Sequence, residues 1–442
     1  MKTTVQYKSC AIALTVAFVF AMALCRAKVT EVSTSAGEVR HVFVIVLENK
    51  SYEDTFLSSI QDPYFRKTLV PKGAVLSQYF GTGHASLDNY ISMISGQAAS
   101  RDTANDCIAD MNGSVGNFNN VVQVGIAPHN QVIVAEGCVY PVGVKTLADQ
   151  LSAAGLSWKA YMGDMGNDPT REDENCGHPK LGSRTDNTNV AEAPSVAIPE
   201  GDAYTTRHNP FVYFHSIIDS PVCRKRVVNL DKNLKADLSN PARTPNFSFI
   251  VPNLCDDGHD GSGTSIPGTT CANGQPGGLT SVDLFLRKWV PRIMRSDAYR
   301  KDGLVIITFD ESTYVLSEKN TNNAGQVEAD YIFPGQTCCN QQPGPNLDGV
   351  RPSSVVLSDT PERIGRLVVN GYGGDRIGAL LLSPFIKPGS ASEIEYNHYS
   401  LLRSLEDIFR LREYLGYADE DPAAGYHLNT IGNDSTIFRP RR

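Results

Sequence analysis

The sequence predicts an α/β fold with a mainly parallel central sheet and helices on both faces. Short apolar runs rich in β-branched residues recur along the chain, as in strands that are buried on both faces of a parallel sheet. Segments with helical spacing lie between these runs, and such alternation is typical of parallel α/β sheets. The 442 residues are 41% hydrophobic and 20% charged, which is enough apolar material for a large core.

The predicted strands are continuous apolar runs rather than alternating patterns. The first, Val42 to Leu47, reads VFVIVL and contains no polar residue. A run of this kind fits a central strand that is covered on both faces. Similar runs occur at Val132–Val134, Phe247–Val251, Leu304–Phe309 and Ala379–Leu382.

Three segments between the strands have helical periodicity. Val144–Ala154 ends at a glycine, which we expect to form the C-cap, and leads into the short strand Trp158–Tyr161. Leu279–Ser296 predicts a helix that is bent or stopped near Pro291. Tyr399–Leu411 places its leucines, isoleucine and phenylalanine on one face, as in an amphipathic helix.

Three polar segments interrupt this pattern: Gly163–Gly201, Gly261–Gly278 and Ser312–Leu357. Each is rich in Gly, Pro, Asn, Asp or Thr, and each holds cysteine. We expect them to be surface loops that are stapled by disulfides. No composition shift and no internal repeat divides the chain, so one catalytic domain over residues 38–430 is predicted.

The beginning of the chain predicts export. Lys2 and Lys8 precede an apolar run that ends near Ala27, which favours a signal peptide over residues 1–27 and leaves an uncleaved anchor as the alternative. We therefore expect a secreted or periplasmic protein with no stable membrane span after signal removal. An even number of cysteines follows, which favours disulfides over metal ligands. They are Cys107, Cys138, Cys176, Cys223, Cys255, Cys271, Cys338 and Cys339.

Composition and missing motifs exclude several functions. The net charge of −8 offers no basic surface for a nucleic-acid backbone, so nucleic-acid binding is not expected. No C-x-x-C pair occurs, which argues against zinc-finger and thioredoxin-like sites. No G-x-S-x-G elbow occurs, which argues against a serine carboxylesterase.

Oxygen-rich clusters follow three of the predicted strands. VFVIVL ends in Glu48-Asn49, FSFIV leads into Asp257 and His259, and LVIITF ends in Asp310-Glu311. One such acidic residue is usually a turn residue or a helix cap. Three clusters at the carboxyl ends of parallel strands converge on one crevice, which is where α/β sheets bind ligands. Their oxygens favour Ca²⁺, Mg²⁺ or Mn²⁺, with Zn²⁺ as the alternative.

A fourth cluster surrounds Ser86, and His398 is a fifth candidate. Ser86 precedes a short apolar segment that ends at Gly96, so it lies near a predicted helix N-terminus. Backbone N–H groups and the positive end of the helix dipole favour anions there. The alternative is that Ser86 is a simple N-cap, which is compatible with an anion site. His398 precedes the amphipathic helix, where a lone histidine is more often a surface or capping residue.

Five segments in order, between Arg40 and Phe409, resemble the phosphoesterase family of bacterial and fungal acid phosphatases and non-specific phospholipases C. They are HVFVIVLENKSYEDTF, GHASLDNYISMISG, VPNLCDDGHDG, LVIITFDES and NHYSLLRSLEDIF. That family belongs to the alkaline phosphatase superfamily, so the resemblance implies an alkaline-phosphatase-like sheet. The segment from Ser86 to Gly96 is also similar to the nucleophile segment of nucleotide pyrophosphatases, in which threonine replaces the serine.

The resemblance implies a serine nucleophile beside a metal ion. Ser86 would accept the phosphoryl group. Glu48, Asn49, Asp310 and Glu311 would hold the metal, which would also contact the Ser86 oxygen. A metal of this kind lowers the pKa of the nucleophile and stabilises charge on the phosphoryl oxygens.

The resemblance also implies roles for the remaining polar groups. Asn89 would donate to a phosphate oxygen. Asp257 and His259 occupy the place where two-metal relatives bind a second ion, which protein groups would replace here. His84, His259 and His398 would act as hydrogen-bond donors and as the acid for the leaving group.

Two residues depart from the family pattern. Family members often carry proline where Ala85 and Asp88 stand, so either a looser turn at Ser86 or a helix cap formed by Asp88 is expected. Asp260 is expected to orient a histidine rather than to bind metal.

These observations predict a metal-dependent acid phosphatase that hydrolyses small phosphate monoesters through a phosphoserine. The alternative is a phospholipase C or another phosphodiesterase of the same family, acting on phospholipid head groups. A catalytically inactive binding module on the same fold is a third hypothesis. Phosphate monoester hydrolysis needs accelerations of up to ~10²¹, whereas one general acid contributes about 10²–10⁴, so the metal and the histidines are expected to act together.

Overall fold

The computed structural model describes residues 35–58, 62–108, 118–183, 186, 188–259, 270–322, 324–347, 352–359, 363–421 and 426–440. The predicted signal peptide and Asp260 lie outside these residues. Within them, no helix combines the length and the apolar character that crossing a membrane requires.

Strands and helices alternate along the described residues. The strands are β1 (His41–Leu47), β2 (Ala74–Phe80), β3 (Val122–Ala127), β4 (Gln131–Glu136), β5 (Trp158–Met162), β6 (Val227–Asn229), β7 (Phe247–Val251), β8 (Gly303–Phe309), β9 (Val315–Thr321), β10 (Val327–Phe333), β11 (Ser353–Asp359), β12 (Arg363–Val369), β13 (Ala379–Leu382) and β14 (Ser390–Asn397). The helices are α1 (Ser86–Ser95), α2 (Leu147–Ala153), α3 (His215–Ile218), α4 (Cys223–Arg226), α5 (Leu230–Leu238), α6 (Gly278–Arg295), α7 (Asp297–Asp302) and α8 (His398–Phe409).

An eight-stranded sheet forms the centre of the fold, in the order β14-β2-β13-β8-β1-β7-β5-β6. Every neighbouring pair is parallel except those that involve β13, which is antiparallel to both β2 and β8. Strand β1 lies between β8 and β7, with Val44 opposite Ile306 and Phe249. All residues of β7 and β8 are buried, as their continuous apolar sequences predict. The predicted α/β class with a mainly parallel sheet is confirmed.

One predicted strand of the central sheet was wrong. Val132–Val134 lies in β4, which pairs only with β3 in a separate antiparallel hairpin. Most of β3 is exposed, so this hairpin is not buried on both faces. Three apolar residues are too few to cross a sheet layer, and Gln131 and Glu136 end the run on both sides.

The segment Ser312–Leu357 is not the loop that its composition predicted. It forms β9, β10 and part of β11, which join β12 in a four-stranded sheet of order β11-β12-β10-β9. Its polar residues pair across the strands: Arg366 bonds Glu328 at 2.7 Å and Asp330 at 2.9 Å. Cross-strand ion pairs of this kind allow a polar sequence to form a sheet.

The predicted helices are present with adjusted ends. Thr146 caps α2 in a capping box with Asp149, and Gly155 follows with φ 72°. Helix α6 continues through Pro291 to Arg295, so the predicted stop is absent. Helix α8 covers the amphipathic segment and starts at His398.

Disulfides pair every cysteine beyond the predicted leader. The bonds are Cys107–Cys138, Cys176–Cys223, Cys255–Cys271 and Cys338–Cys339. The first two polar segments are therefore tied to the body of the protein, as predicted. The third is not stapled, because Cys338 and Cys339 are neighbours in sequence and bond each other.

Five strand ends meet at one edge of the central sheet. Strands β14, β2, β8, β1 and β7 point the same way, so the residues that follow them lie at this edge. These residues are His398 after β14, the loop to Ser86 after β2, Asp310 after β8, Glu48 after β1 and Asp257 beyond β7.

Candidate active site

Ser86 begins helix α1 after a sharp turn. The preceding residue, Ala85, has φ 134°, a conformation that residues other than glycine rarely adopt. Proline, which is held near φ −65°, could not occupy this position. The Ser86 hydroxyl is buried and donates a 3.0 Å hydrogen bond to Oε2 of Glu48. The next N–H of the helix, that of Leu87, donates to Oδ1 of Asp106 at 2.9 Å.

The three strand-end clusters meet beside this serine, as predicted. The Glu48 N–H donates to the Asp257 carbonyl at 2.9 Å. The Asn49 N–H donates to Oδ1 of Asp310 at 3.0 Å, and the Asn49 side-chain amide lies 3.0 Å from Oε2 of Glu48. Glu48, Asn49, Asp310 and Ser86 therefore form one cluster.

Two carboxylates of this cluster are buried next to each other. Glu48 and Asp310 are fully buried. Burial and the adjacent Asp310 raise the pKa of Glu48 well above its usual value, and burial also raises the pKa of Asp310. Among the described residues, Oε1 of Glu48 and Oδ2 of Asp310 have no hydrogen-bond partner. A divalent cation would compensate two such oxygens, so the donor set fits a metal.

His208 belongs to the site, although no sequence pattern had indicated it. Its Nε2 lies 3.1 Å from Oε1 of Glu48, and its Nδ1 lies 3.7 Å from Oδ2 of Asp257. Ligand atoms of these three residues lie within 4.8 Å of one another, so they form a second set that could hold a metal. The ring of Tyr90 on α1 stacks on His208 at 5.2 Å. His208 follows no strand, and the only signal was a histidine in the short Arg-His-Asn-Pro stretch.

Burial disfavours the charged form of His208. Burial, Arg207 and His259 together lower the pKa of His208 well below its usual value. Among the described residues, neither ring nitrogen has a hydrogen-bond partner of good geometry. A neutral imidazole can bind a metal through one nitrogen or donate a hydrogen bond to a substrate oxygen.

Cations also lie close to the site. The buried Arg207 places Nε 3.8 Å from Oδ2 of Asp106 and opposes the increase that burial and Asp310 cause in the pKa of Glu48. Lys50 donates to the Asn49 carbonyl at 3.1 Å, and burial lowers its pKa. Positive charge is therefore built into the protein beside the carboxylates.

His84 lies between two carboxylates. Its Nδ1 bonds the carboxylate of Glu311, and its Nε2 donates to Oδ2 of Asp375 at 2.8 Å. Burial alone would lower the pKa of His84, but Glu311 and Asp375 raise it to about 9. The other oxygen of Glu311 accepts the Ala85 N–H at 3.2 Å. Glu311 therefore contacts the turn that carries Ser86.

The Asn89 side chain is used inside the loop that precedes α1. Its oxygen accepts the N–H groups of Thr82 at 2.8 Å and Gly83 at 3.1 Å. Its amide group donates to the carbonyls of Gly83 at 2.9 Å and Ala85 at 3.1 Å. These bonds hold the turn before Ser86 in place.

The two remaining histidines occupy different positions. His398 is fully buried: its Nε2 donates to the Asp310 carbonyl at 2.6 Å, and its Nδ1 accepts from the Tyr79 hydroxyl at 3.1 Å. Burial lowers the pKa of His398 to about 4, so the ring is neutral. His259 is half-buried, and its N–H donates to Oδ1 of Asp257 at 2.9 Å.

Comparison with known proteins identifies the family of this chain. The chain matches the Phosphoesterase family over residues 57–412. An acid phosphatase of Aspergillus fumigatus is 24% identical over 278 residues, which is 63% of this chain and 46% of that protein. A phosphate-repressible acid phosphatase of Penicillium chrysogenum is 27% identical over 267 residues, which is 60% of this chain and 47% of that protein. The chain thus spans about half the length of these curated relatives.

Solved structures resemble the fold only weakly. An inactive variant of murine ectonucleotide pyrophosphatase / phosphodiesterase 5 in complex with AMP has a TM-score of 0.43 at 12% identity, covering 90% of this chain and 100% of that one. A Vibrio parahaemolyticus protein in the alkaline phosphatase superfamily has a TM-score of 0.41 at 11% identity, covering 85% of this chain and 67% of that one.

The family match covers most of the chain and includes Ser86, Asp257 and Asp310. The chain therefore belongs to the Phosphoesterase family.

Proposed function

We propose that this protein is an exported, metal-dependent acid phosphatase that hydrolyses phosphate monoesters through a phosphoserine. The main supporting observation is that the Ser86 hydroxyl, at the start of α1, bonds Glu48, which lies beside the buried Asp310. Each of these two carboxylates has one oxygen without a hydrogen-bond partner among the described residues. The names of the fungal relatives support acid phosphatase activity. The disulfides support an oxidising compartment.

Glu48, Asn49, Asp310 and Ser86 would hold the metal, because their side chains already contact one another. When bound, the metal would supply Lewis-acid stabilisation of the phosphoryl oxygens and lower the pKa of the serine hydroxyl. Glu311 would complete the predicted ligand set through one carboxylate oxygen while its other oxygen stays bonded to His84.

The protein groups around Ser86 perform the remaining tasks in this proposal. The Ser86 proton is directed at Oε2 of Glu48. Because its ring nitrogens are free of good partners among the described residues, His208 donates to the phosphoryl group. His259, at the rim, supplies the leaving-group proton.

Three predicted catalytic residues take positioning roles in the proposal. His84 bonds Glu311, Asn89 orders the turn at Ala85, and His398 holds the Asp310 backbone. Each side chain has both of its polar ends engaged with the protein, so none has a hydrogen-bonding atom left for substrate. Their contribution is orientation of the nucleophile and of the carboxylates.

The proposal is tested with Ser86→Ala. We expect phosphate release from an aryl phosphate monoester to fall by at least about 10³-fold, because only binding and electrostatic effects remain. Ser95→Ala is the matched control, because Ser95 is a buried serine on the same helix that bonds the Ile91 carbonyl. Treatment with a chelator should abolish turnover of the wild type, and a divalent cation should restore it.

Two results would overturn the proposal. Undiminished turnover by Ser86→Ala would remove the nucleophile, and full activity of a metal-free preparation would remove the metal. An aryl phosphodiester and phosphatidylcholine are assayed in parallel. Faster turnover of either would replace the monoesterase with a phosphodiesterase or phospholipase C that uses the same serine.

A further inference from the structure

The segment Gly374-Asp375 joins the loops of the site through its backbone. The Gly374 N–H donates to the Gly81 carbonyl at 3.0 Å, and the Gly81 N–H donates to the Asp375 carbonyl at 3.0 Å. The Ser312 N–H, just after Glu311, donates to the Gly374 carbonyl at 2.9 Å. The loop that leads to Ser86 and the loop that carries Asp310 and Glu311 therefore share one attachment.

The Asp375 carboxylate extends this attachment through its side chain. Oδ1 accepts the Gln336 N–H at 2.6 Å, and Oδ2 accepts the Gly335 N–H at 3.2 Å together with His84 Nε2 at 2.8 Å. Asp375 is only 5% exposed. Its φ is 60°, a left-handed conformation that aspartate tolerates better than most residues. A buried carboxylate with three donors is fixed in position.

A continuous chain of contacts runs from Asp375 to the nucleophile turn. His84 bonds Asp375 through Nε2 and Glu311 through Nδ1, and Glu311 accepts the Ala85 N–H. Ala85 immediately precedes Ser86. The backbones also touch directly, because a Cβ on Gly374 would lie 2.4 Å from the Gly83 carbonyl oxygen. A displacement of Asp375 is therefore passed to the residues around Ser86.

We propose that Asp375 is a positioning residue of the reaction, which fixes Glu311 through His84 and thereby sets the geometry of the nucleophile turn against the metal-binding carboxylates. The inference rests on the proposed function. Loss of the Asp375 charge leaves His84 with one carboxylate partner instead of two, so Glu311 loses its fixed orientation. Residues that orient metal ligands in this way typically change metal affinity about 10–100-fold.

The test compares Asp375→Asn with Asp283→Asn. Asp283 is a buried carboxylate that likewise accepts two backbone N–H groups, from Tyr64 at 2.7 Å and Phe65 at 3.0 Å, and bonds one cation, Arg287, at 2.8 Å. Asp283 lies outside the site. Its substitution therefore also removes a buried carboxylate that holds loop backbone, but leaves the surroundings of Ser86 unchanged. The readouts are kcat and KM for an aryl monoester, and the metal dissociation constant from competition with a chelator.

We expect Asp375→Asn to lower kcat about 10²-fold, with KM changed by less than about threefold, because orientation rather than binding is lost. Metal affinity should fall at least about tenfold. Asp283→Asn should lower the melting temperature but leave kcat and metal affinity close to wild type. Equal effects of the two substitutions on kcat and on metal affinity would overturn the inference, because Asp375 would then be purely structural.

A second variant keeps the inference testable if Asp375→Asn does not fold. His84→Gln breaks the link to Glu311 and leaves both backbone bonds of Asp375 intact. It should weaken metal binding as much as Asp375→Asn does, and the double variant should be no weaker than His84→Gln alone. Wild-type metal affinity in His84→Gln overturns the inference. If the wild type hydrolyses no phosphate ester, the proposed function fails, and metal affinity alone then decides the role of Asp375.

Discussion

At the scale of single residues, Ala85 carries backbone strain beside Ser86. A residue other than glycine in such a conformation costs about 1–3 kcal/mol, and it persists only where the surroundings fix it. Two hydrogen bonds do so here: the Ala85 N–H donates to Glu311, and its carbonyl accepts from Asn89. Ser86 therefore starts its helix abruptly, with its hydroxyl aimed at Glu48.

The role of His208 leads to a prediction at this scale. We expect His208→Gln to lower kcat by about 10²–10⁴, because a group that donates to the phosphoryl oxygens is lost. His178→Gln is the control: His178 stacks on Phe118 at 5.1 Å, much as His208 stacks on Tyr90 at 5.2 Å. Steady-state turnover of an aryl monoester checks both variants. A kcat for His208→Gln within threefold of wild type would contradict the proposed role.

A site residue could be recognised from the sequence when it directly follows an apolar strand. Glu48 and Asp310 directly follow apolar strands, so parallel pairing alone brings them together. His208 lies in a short 3₁₀ turn, and Asp375 lies in a glycine-rich segment. Neither residue comes directly after a strand. Their places depend on the folding of irregular loops, which no local periodicity encodes.

At the scale of elements, apolar content decided which strands could be recognised. Strands β1, β7 and β8 are buried along nearly their whole length and have continuous apolar sequences. Strands β9 to β12 form a sheet with polar and charged residues, whose stability comes from cross-strand pairs such as Arg366–Asp330. Such pairs exist only after folding, so composition alone suggested a loop.

Helix α8 contains a buried acid that leads to a second prediction. Glu406 is fully buried, and burial raises its pKa to about 8, although a hydrogen bond from the Leu415 N–H at 2.9 Å opposes this increase. Since the folded pKa exceeds the unfolded value of about 4.3, this residue contributes stability below about pH 4 that is lost as pH rises through about 8.

Glu406→Gln should remove this pH-dependent loss, because glutamine keeps an acceptor for the Leu415 N–H without the charge. We expect the variant to be more stable than wild type by about 2 kcal/mol or more at pH 9 and nearly equal to it at pH 4, since each tenfold difference in proton affinity between the folded and unfolded states is worth about 1.4 kcal/mol. Melting temperatures of both proteins at the two pH values provide the measurement. The same difference at both pH values would show that Glu406 does not titrate in the folded protein.

At the scale of the whole molecule, the disulfides fix long loops around one core. A single hydrophobic cluster contains residues from Ala36 to Phe438, and the stapled loops surround it. The Cys107–Cys138 bond has a direct link to the site, because Asp106, next to Cys107, accepts the Leu87 N–H of α1. The Cys176–Cys223 bond closes a longer loop that itself contains Arg207 and His208 of the site.

These links predict that both disulfides affect activity as well as stability. Replacing either pair with serines should cost about 3–4 kcal/mol of stability through the freed loop. Both variants should also lower kcat, by about fivefold, the equivalent of about 1 kcal/mol. Melting temperature and turnover are measured at a temperature where both variants remain folded. Wild-type turnover by the Cys107/Cys138 variant would mean that Asp106 does not steady helix α1.

The reversed direction of β13 has a consequence for how this enzyme family can vary. Strand β8 ends at the catalytic edge, and the antiparallel β13 begins there, so the chain between them leaves from the site and returns to it. Residues that precede β13, including Asp375, reach this edge, whereas every parallel strand contributes the residues that follow it. The segment between β8 and β13, which contains β9 to β12, can lengthen or shorten without moving the central sheet. Its two anchored ends make it the part of the chain in which substrate preference can diverge while the reaction is kept.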